Sequence, residues 1–217
     1  MNELFSPNGV LNKWLNKIYQ IVFLHFLFVI FSIPLVTVGA ANTALYTTWF
    51  KIWNHSFDGH MMRTFWEAFK KNFKKATILW GIILWFTFIV VLLYPLIYKT
   101  VKAFPFLSYV FLLGLAIFLL SYIYLFPLLA RFENTIKHTF INSFMIGMSN
   151  MPYSILLVVV NVGIVFALPF YIGPILFLWL ATCFGLVSCI SSWLMNQIIF
   201  KKYVAKVEKD ESLSTAD

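Results

Sequence analysis

Few residues in this chain could do enzyme chemistry, and they form no recognised catalytic pattern. His55, Asp58 and His60 cluster in a polar segment and could contact a metal ion, although three such residues in a loop are more often only solvated. The sequence contains no nucleotide-binding glycine motif, no zinc motif of histidines or paired cysteines, and no nucleophile elbow around a serine. We therefore expect a protein that is not an enzyme, with no catalytic residue, no metal and no cofactor.

Polar side chains inside an apolar segment would indicate a path for ions or protons. No acidic residue falls inside an apolar segment, which argues against a pump coupled to protons or sodium. His25 and Asn161 do fall inside such segments, and a neutral, hydrogen-bonded structural role is the default for both. Together with Thr43, in a threonine-rich stretch, they are the candidates for lining a polar cavity.

The two cysteines, Cys183 and Cys189, lie six residues apart in an apolar segment. Six positions turn a helix by about 600°, which places the two side chains on different faces. We expect them to be small packing residues rather than a disulfide or metal ligands.

The composition is that of a protein that lives in a lipid bilayer. Hydrophobic residues make up 61% and charged residues 11%, whereas soluble domains carry about 25% charged residues. The formal charge of +8 comes from basic residues between the apolar segments, so orientation and anionic lipid explain them better than nucleic acid does. The sequence predicts an all-α, polytopic transmembrane helical bundle.

Apolar segments long enough to cross a bilayer define the spans. The last of them is too long for one helix, and the stretch from Pro169 to Pro174 divides it in two. The four segments are Ile18–Val38, Ala76–Tyr98, Phe104–Ala130 and Tyr153–Phe200. This gives five clear helices in a single transmembrane domain (residues 1–200), followed by a charged tail, residues 201–217, that we expect to be disordered.

Whether the short segment Ala40–Asn54 also crosses decides between five helices and six. If the segment does not cross, four basic residues lie on one side of the membrane and twelve on the other. With it, only Lys99 and Lys102 lie outside, and both termini are cytoplasmic. The excess of basic residues in cytoplasmic loops favours six helices, the second of them short and packed inside the bundle.

The segment Met61–Lys75 has the strongest amphipathic pattern. Met62, Phe65, Phe69 and Phe73 share one helix face. The basic residues on the other side are Arg63, Lys70, Lys71, Lys74 and Lys75. The pattern predicts an interfacial helix with its amines at anionic headgroups, and the alternative is a docking site for a cytoplasmic partner.

A weak internal repeat suggests that such interfacial helices recur. Thr64–Phe69 resembles Thr139–Phe144 at an offset of 75 residues, and each precedes a pair of apolar helices. Val10–Tyr19 could be a third copy. The plan would then be three units, each an interfacial helix followed by a helical hairpin, although a match of six residues could be chance.

Two stripes of small residues are expected to be helix-packing surfaces rather than ligand sites. The stripe in the second helix consists of Gly39, Ala40, Thr43, Ala44 and Thr47. The stripe in the last helix consists of Ala181, Gly185, Ser188 and Ser192.

The run Pro34–Tyr46 (PLVTVGAANTALY), with the later FWEAFKKNF, resembles the YesL-like family of bacterial membrane proteins, a domain of unknown function. That resemblance implies a bacterial cytoplasmic membrane protein and, because members are commonly encoded beside carbohydrate ABC-transporter permeases, an accessory role in sugar uptake. It carries over no catalytic residue. Its structural signatures match Pro34, Thr37, Gly39, Ala44, Tyr46, Asn72 and Phe73.

Three functions remain open from the sequence. The first is an accessory or regulatory component of a carbohydrate ABC transporter that contacts permease subunits. The second is a small channel or uncoupled carrier for a neutral solute. The third is binding of anionic lipid or an envelope precursor by the basic helices. The oligomeric state does not follow from the sequence.

Overall fold

The computed structural model describes residues 9–132, 134–167, 182–201 and 203, and in this part of the chain every regular element is a helix. Seven α-helices follow one another in the described residues: α1 (Val10–Ser32), α2 (Val38–Trp53), α3 (Met61–Ala103), α4 (Phe106–Arg131), α5 (Ile136–Ser149), α6 (Met151–Val162) and α7 (Cys183–Leu194). A 3-10 turn, Leu35–Thr37, precedes α2, and π-helical turns, Gly163–Ala167 and Met195–Phe200, extend α6 and α7. The predicted all-α class is confirmed.

Among the described residues, four helical stretches are long and apolar enough to cross a membrane. They are Leu11–Ser32, Met61–Ala103, Phe106–Arg131 and Cys183–Phe200. The pair α5 and α6, bent by 104°, makes a fifth if it counts as one span. At 16 residues, α2 is about 24 Å long, shorter than the ~30 Å hydrocarbon core. Its crossing, and with it the sixth span, stays a prediction.

Helix α2 lies at the centre of the bundle. Ten of its residues are buried. They include every residue from Gly39 to Ala44 except the half-exposed Asn42. It contacts α1, α3, α4 and α7. The prediction that this short helix packs inside the bundle is therefore confirmed.

Two of the predicted boundaries are wrong. Val10–Tyr19 is not a separate interfacial helix, because α1 runs without interruption from Val10 to Ser32. The first span also ends at Ser32 rather than Val38, since Pro34 lacks the amide hydrogen that would continue the helix and a turn follows it.

The segment Met61–Lys75 is likewise not an independent helix. It forms the first third of α3, which has 43 residues and is about 64 Å long. The aromatic face that was expected to enter lipid is partly inside the protein, because Phe65 and Phe69 are buried and contact Phe31 at ring-centroid distances of 5.4 and 5.1 Å. Met62 and Phe73 are exposed.

The internal repeat does not give two equivalent units. Thr64–Phe69 lies within the continuous α3, whereas Thr139–Phe144 lies in α5, which is separated from α6 by the 104° bend. Thr139 and Ser143 are buried like their counterparts, Thr64 and Ala68. Phe140 and Phe144 are exposed, unlike the buried Phe65 and Phe69. The plan of three interfacial helices is therefore wrong.

The second half of α3 and the first half of α4 form a hairpin that we call the apolar hairpin (residues 84–119). None of its residues is buried. Phe86 stacks on Phe118 at 4.8 Å between the two helices. The predicted break between Pro169 and Pro174 lies outside the described residues, as does the tail after Tyr203.

Candidate functional site

The turn before α2 is held by side-chain hydrogen bonds to its carbonyl groups. The Thr37 hydroxyl lies 2.6 Å from the carbonyl oxygen of Phe31 and 2.7 Å from that of Pro34. On α3, the indole of Trp80 donates to the carbonyl oxygen of Leu35 at 2.7 Å. These bonds supply donors to carbonyl groups at the break between α1 and α2, so Thr37 has a structural role in the turn that Pro34 begins.

Gly39 brings the backbone of α2 against α3. A Cβ atom at this position would lie 2.7 Å from the carbonyl oxygen of Ala76 and 2.7 Å from the Cβ of Trp80. The Thr43 hydroxyl donates back to the Gly39 carbonyl oxygen at 3.0 Å. Ala44 is fully buried. From Gly39 to Ala44 the small-residue stripe of α2 is therefore a packing surface, as predicted, whereas its last member, Thr47, is half-buried and lines a cavity.

The last helix meets α2 through a row of indole–hydroxyl hydrogen bonds. Trp49 Nε1 donates to Ser188 Oγ at 2.9 Å, and Trp53 Nε1 donates to Ser192 Oγ at 3.0 Å. At Gly185 an added Cβ would collide with the backbone of α1 at Ile21. The stripe of α7 is thus a packing surface too, except for Ala181, which lies outside the described residues.

Lys17 completes this contact from α1. Its ammonium lies 3.8 Å from the ring centre of Trp53 and 5.2 Å from that of Trp49, positions in which the π faces attract a cation. The sequence analysis missed both tryptophans. Their spacing of four residues on one face of α2 was the available signal.

The three residues proposed to line a polar cavity make separate contacts in the structure. Asn161 donates to Ser191 Oγ at 3.0 Å and to the Leu157 carbonyl at 2.7 Å. His25 is buried and stacks on Phe184 at 5.9 Å. Thr43 is bonded within its own helix. None of the three lines the apolar groove or the basic cleft described next, so their role in lining a cavity stays a prediction.

One cavity is an apolar groove of about 690 Å³ between α1 and the start of α3. Apart from His60 and Arg63, its lining is apolar or backbone. The lining residues are Tyr19, Phe23, Phe31, Gly59, His60, Met61, Met62, Arg63 and Trp66. His60 therefore lies in this groove rather than with His55 and Asp58 in a metal site, and the described residues contain no group of three potential metal ligands.

The other cavity, which we call the basic cleft, has a volume of about 250 Å³. It lies where the end of α2, the first half of α3 and the end of α4 converge. Its lining consists of Thr47, Lys51, Glu67, Ala68, Lys71, Asn72, Leu129, Ala130, Arg131 and Phe132. Three cationic side chains and one carboxylate thus surround a small polar space.

The predicted basic face of α3 is divided among different contacts. Lys71 lines the basic cleft, whereas Lys75 donates to the carbonyl oxygen of Asn134 at 3.0 Å. Lys70 lies 4.9 Å from the ring of Trp66. Lys74 is exposed. These residues therefore make different contacts within the protein, and their contact with lipid headgroups stays a prediction.

The carboxylate of the cleft is already paired. Arg63 Nε lies 2.8 Å from Glu67 Oε1. This hydrogen bond lowers the pKa of the Glu67 carboxyl, which precedes the apolar part of α3, and the charges of Lys51 and Lys70 act in the same direction. Glu67 is therefore ionised at neutral pH, with Arg63 as its counterion.

Asn72 and Phe73, the later signature residues, have unequal roles. The Asn72 amide donates to the Ala68 carbonyl at 3.2 Å and lines the basic cleft. Phe73 is exposed and contacts Phe69 at a ring distance of 5.4 Å. Tyr46 is buried beside Phe50 in the core. Lys51 and Arg131 line the same cleft as Asn72. The sequence analysis did not identify them as site residues, because only the folded chain brings them close to Asn72.

One part of the chain is similar to a known protein family. Residues 20–94 match the family model described as "Protein of unknown function, DUF624". The match begins in α1, includes the turn and α2, and ends in the apolar part of α3, which is about a third of the chain. No curated protein and no solved structure matches the chain.

Proposed function

We propose that this chain is a non-enzymatic accessory or regulatory component of a carbohydrate ABC transporter, acting through helix–helix contacts in the bacterial cytoplasmic membrane. The family match over residues 20–94 and the YesL-like signature in Pro34–Tyr46 support this proposal. The proposed orientation has both termini in the cytoplasm, because the basic residues at positions 13, 17 and 201–209 would then share a side with those of α3.

The apolar hairpin is the observation that carries the proposal. It extends from the bundle with large rings on its outside, among them Trp85, Phe88, Tyr94 and Tyr109. In a bilayer such a surface needs no water-soluble partner and is free to pack against another transmembrane helix. Most of the signature residues, by contrast, pack or form hydrogen bonds within the bundle, so they stabilise the bundle rather than offering a contact surface.

The test is affinity purification from native membranes in mild detergent under sugar induction, with the permease subunits quantified by mass spectrometry. We expect the permease to co-purify with the wild type and to be lost, by roughly tenfold or more, with the double variant Trp85→Leu, Tyr109→Leu. The matched control is Trp14→Leu on α1, since Trp14 and Trp85 are both 66% exposed. Absence of any permease from the wild-type sample would refute the proposal.

A small carrier for a neutral solute is the second candidate. It is favoured by the bend between α5 and α6, because broken helices build substrate sites in transporters. At this bend Ser154 Oγ lies 2.9 Å from the hydroxyl of Tyr124, and Asn150 donates to the hydroxyl of Tyr203 at 3.2 Å.

These polar groups form hydrogen bonds with one another and are therefore not available to a solute. For this reason the carrier is a weaker candidate than the accessory role. Flux into liposomes that contain the purified chain tests it. We expect neutral sugars and polyols to enter no faster than into empty vesicles. Saturable entry that is abolished by Ser154→Ala would favour the carrier function over the accessory role.

A further inference from the structure

We propose that the turn between α1 and α2 inserts shallowly into one lipid leaflet, the one that faces the charged first third of α3 (residues 61–75). Both helices then return to that side without crossing the bilayer. The inserted surface consists of Ile33, Leu35 and Val36, and its partner is the acyl chains close to the headgroups. The inference is independent of the transporter proposal, because it involves no protein partner.

The charges and aromatic rings of α3 indicate where the bilayer lies. Lys75 is the last charged residue before an uncharged stretch, 76–98, and Lys99 follows this stretch. The stretch is helical throughout, so it extends about 35 Å and can cross the ~30 Å hydrocarbon core. Trp80 and Tyr98 are about 27 Å apart along the helix, and such rings are enriched at the two membrane–water interfaces. The interface on the charged side therefore lies close to Trp80.

The turn between α1 and α2 lies at this same level. The indole of Trp80 donates to the carbonyl oxygen of Leu35 at 2.7 Å, and a Cβ atom at Gly39 would lie 2.7 Å from the Cβ of Trp80. On the turn, Ile33 and Leu35 are each 75% exposed and Val36 is 60% exposed. Three large apolar side chains therefore lie on the protein surface at the edge of the hydrocarbon, where acyl chains remove them from water.

Both helices run from this level towards the charged residues of α3. At the other end of α2, Lys51 lines the basic cleft together with Glu67. Glu67 precedes Trp80 by about 20 Å along α3. On α1, Phe23 lines the apolar groove together with Arg63. The two helices therefore return to the side on which the chain enters α3.

A bilayer crossed by α2 would also enclose the charged part of α3. The two helices pack against each other, and the end of α2 meets α3 near Glu67. The charged residues from Glu67 to Lys75 would then lie in hydrocarbon, where ionisable side chains are costly. A shallow turn avoids this cost and still places Lys13 and Lys17 on the same side as the basic residues of α3. The count of basic residues therefore agrees with a shallow turn as well as with two crossings.

The backbone of the turn has hydrogen-bond donors from the protein itself. The Thr37 hydroxyl lies 2.6 Å from the carbonyl oxygen of Phe31 and 2.7 Å from that of Pro34. Trp80 donates to the carbonyl of Leu35. Backbone carbonyls need such partners where water is scarce, whereas water would satisfy them in a turn exposed to solvent. These bonds therefore suit a turn at the edge of the acyl chains.

Spin labels in liposomes test the depth of the turn. They are attached through Phe26→Cys, Leu35→Cys and Phe88→Cys, all at exposed positions, in a background that lacks Cys183 and Cys189. Collision rates with oxygen and with a water-soluble nickel complex give the depth of each label. We expect the label at residue 35 at about 5–10 Å below the headgroups, as for other interfacial segments. The label at residue 88, in the apolar hairpin, should lie near the centre of the core at about 15 Å.

Residue 26 distinguishes the two topologies, because it lies near the middle of α1. If α1 crosses, its label is as deep as the label at residue 88. If the turn is shallow, the label at residue 26 is no deeper than the label at residue 35. The control for exposure to water is Lys74→Cys, at an exposed position on α3. A label at residue 26 as deep as that at residue 88 would overturn the proposal. So would a label at residue 35 that collides with nickel as often as the label at residue 74.

A second measurement uses the wild type and stays informative if the cysteine variants do not fold. Phospholipids that carry a diazirine either beside the glycerol or at the chain end are activated by light in liposomes. Mass spectrometry then locates the lipid adducts. We expect residues 33–36 to react mainly with the shallow diazirine and residues 84–93 mainly with the deep one. Reaction of Phe26 mainly with the deep diazirine, or no adduct on residues 33–36 with either lipid, would contradict the proposal.

Discussion

The two halves of α3 share one continuous helix but differ in what surrounds them. The first half packs against α2, and its residues Phe65, Ala76 and Leu79 are almost completely buried. The second half lies in the apolar hairpin, where no residue from Leu84 to Leu119 is buried. The first half nevertheless carries the charges, whereas the second is almost entirely apolar.

This difference shows that hydropathy and burial are separate properties in a membrane protein. Large exposed side chains are stable on the hairpin because lipid is as apolar as they are. Inside the bundle, specificity comes from small residues and satisfied polar groups, such as Gly39 and the bond between Trp49 and Ser188. Matched substitutions in the two regions can therefore distinguish the free energy of side-chain packing in the bundle from that of side-chain transfer into lipid.

The largest contrast is expected for tryptophan. Trp49 is fully buried, whereas Trp85 is 66% exposed. We expect Trp49→Ala to lower the free energy of unfolding by about 3–5 kcal/mol, because it leaves a cavity and removes an indole donor. Trp85→Ala should cost less than about 0.5 kcal/mol. Reversible unfolding in mixed micelles measures both, and equal losses would remove the distinction between the regions.

A charge on the hairpin tests its contact with hydrocarbon. Leu92→Arg places a guanidinium in the middle of the apolar part of α3, where Leu92 is exposed. We expect an increase in the free energy of membrane insertion of about 2.5–3.5 kcal/mol. An in vitro insertion assay measures this, with Leu92→Ala as the neutral control. Equal insertion of both variants would mean that residue 92 faces water.

Glycine substitutions should distinguish close helix contact from open space. Gly39→Ala forces the carbonyl of Ala76 and the side chain of Trp80 to move, and we expect a loss of about 1–3 kcal/mol. Gly114→Ala on the hairpin has no atom within 4 Å of the new Cβ and should be neutral or slightly stabilising. Thermal unfolding of the two purified variants makes the comparison, and a neutral Gly39→Ala would disprove the close approach.

The smallest effect is expected for the indole–hydroxyl bond of the bundle. A double-mutant cycle with Trp49→Phe and Ser188→Ala should give a coupling energy of about 0.6 kcal/mol, since hydrogen bonds between membrane helices are weak. The same cycle between Trp85 and Ser188 is the control and should give zero. A coupling of zero in the first cycle would show that packing alone joins α2 and α7.

Much of the fold could be predicted because it follows from local pattern. The apolar segments from Ala76 and Phe104 and the packing role of both small-residue stripes depend on composition and helical spacing alone. The turn after α1 follows from Pro34, which cannot continue a helix. These features need no knowledge of distant residues.

The errors arose where a change in hydropathy was read as a change in the backbone. Between Met61 and Trp80 there is no glycine or proline, and none occurs between Val10 and Ser32, so nothing interrupts either helix. At Asn150 the opposite holds, since Pro152 opens a new helix and the chain bends. At these positions the presence or absence of a proline or glycine, rather than a change in polarity, matches whether the helix continues, although α3 and α4 also continue through Pro95 and Pro127.

The basic cleft could not be predicted, because it depends on long-range convergence. Lys51 and Arg131 are 80 residues apart, and each occupies the last turn of its helix, where a basic residue is common. Only the packing of α2 and α4 on α3 brings them to Lys71 and Asn72.

The most direct test of the contrast within α3 is the accessibility of spin labels in liposomes. Labels at Leu92 and Leu113, in a background that lacks Cys183 and Cys189, are compared with labels at Lys70 and Lys74. We predict that the hairpin labels collide readily with oxygen and rarely with a water-soluble nickel complex, and that the lysine positions show the reverse. Hairpin labels that collide mainly with the nickel complex would contradict the account.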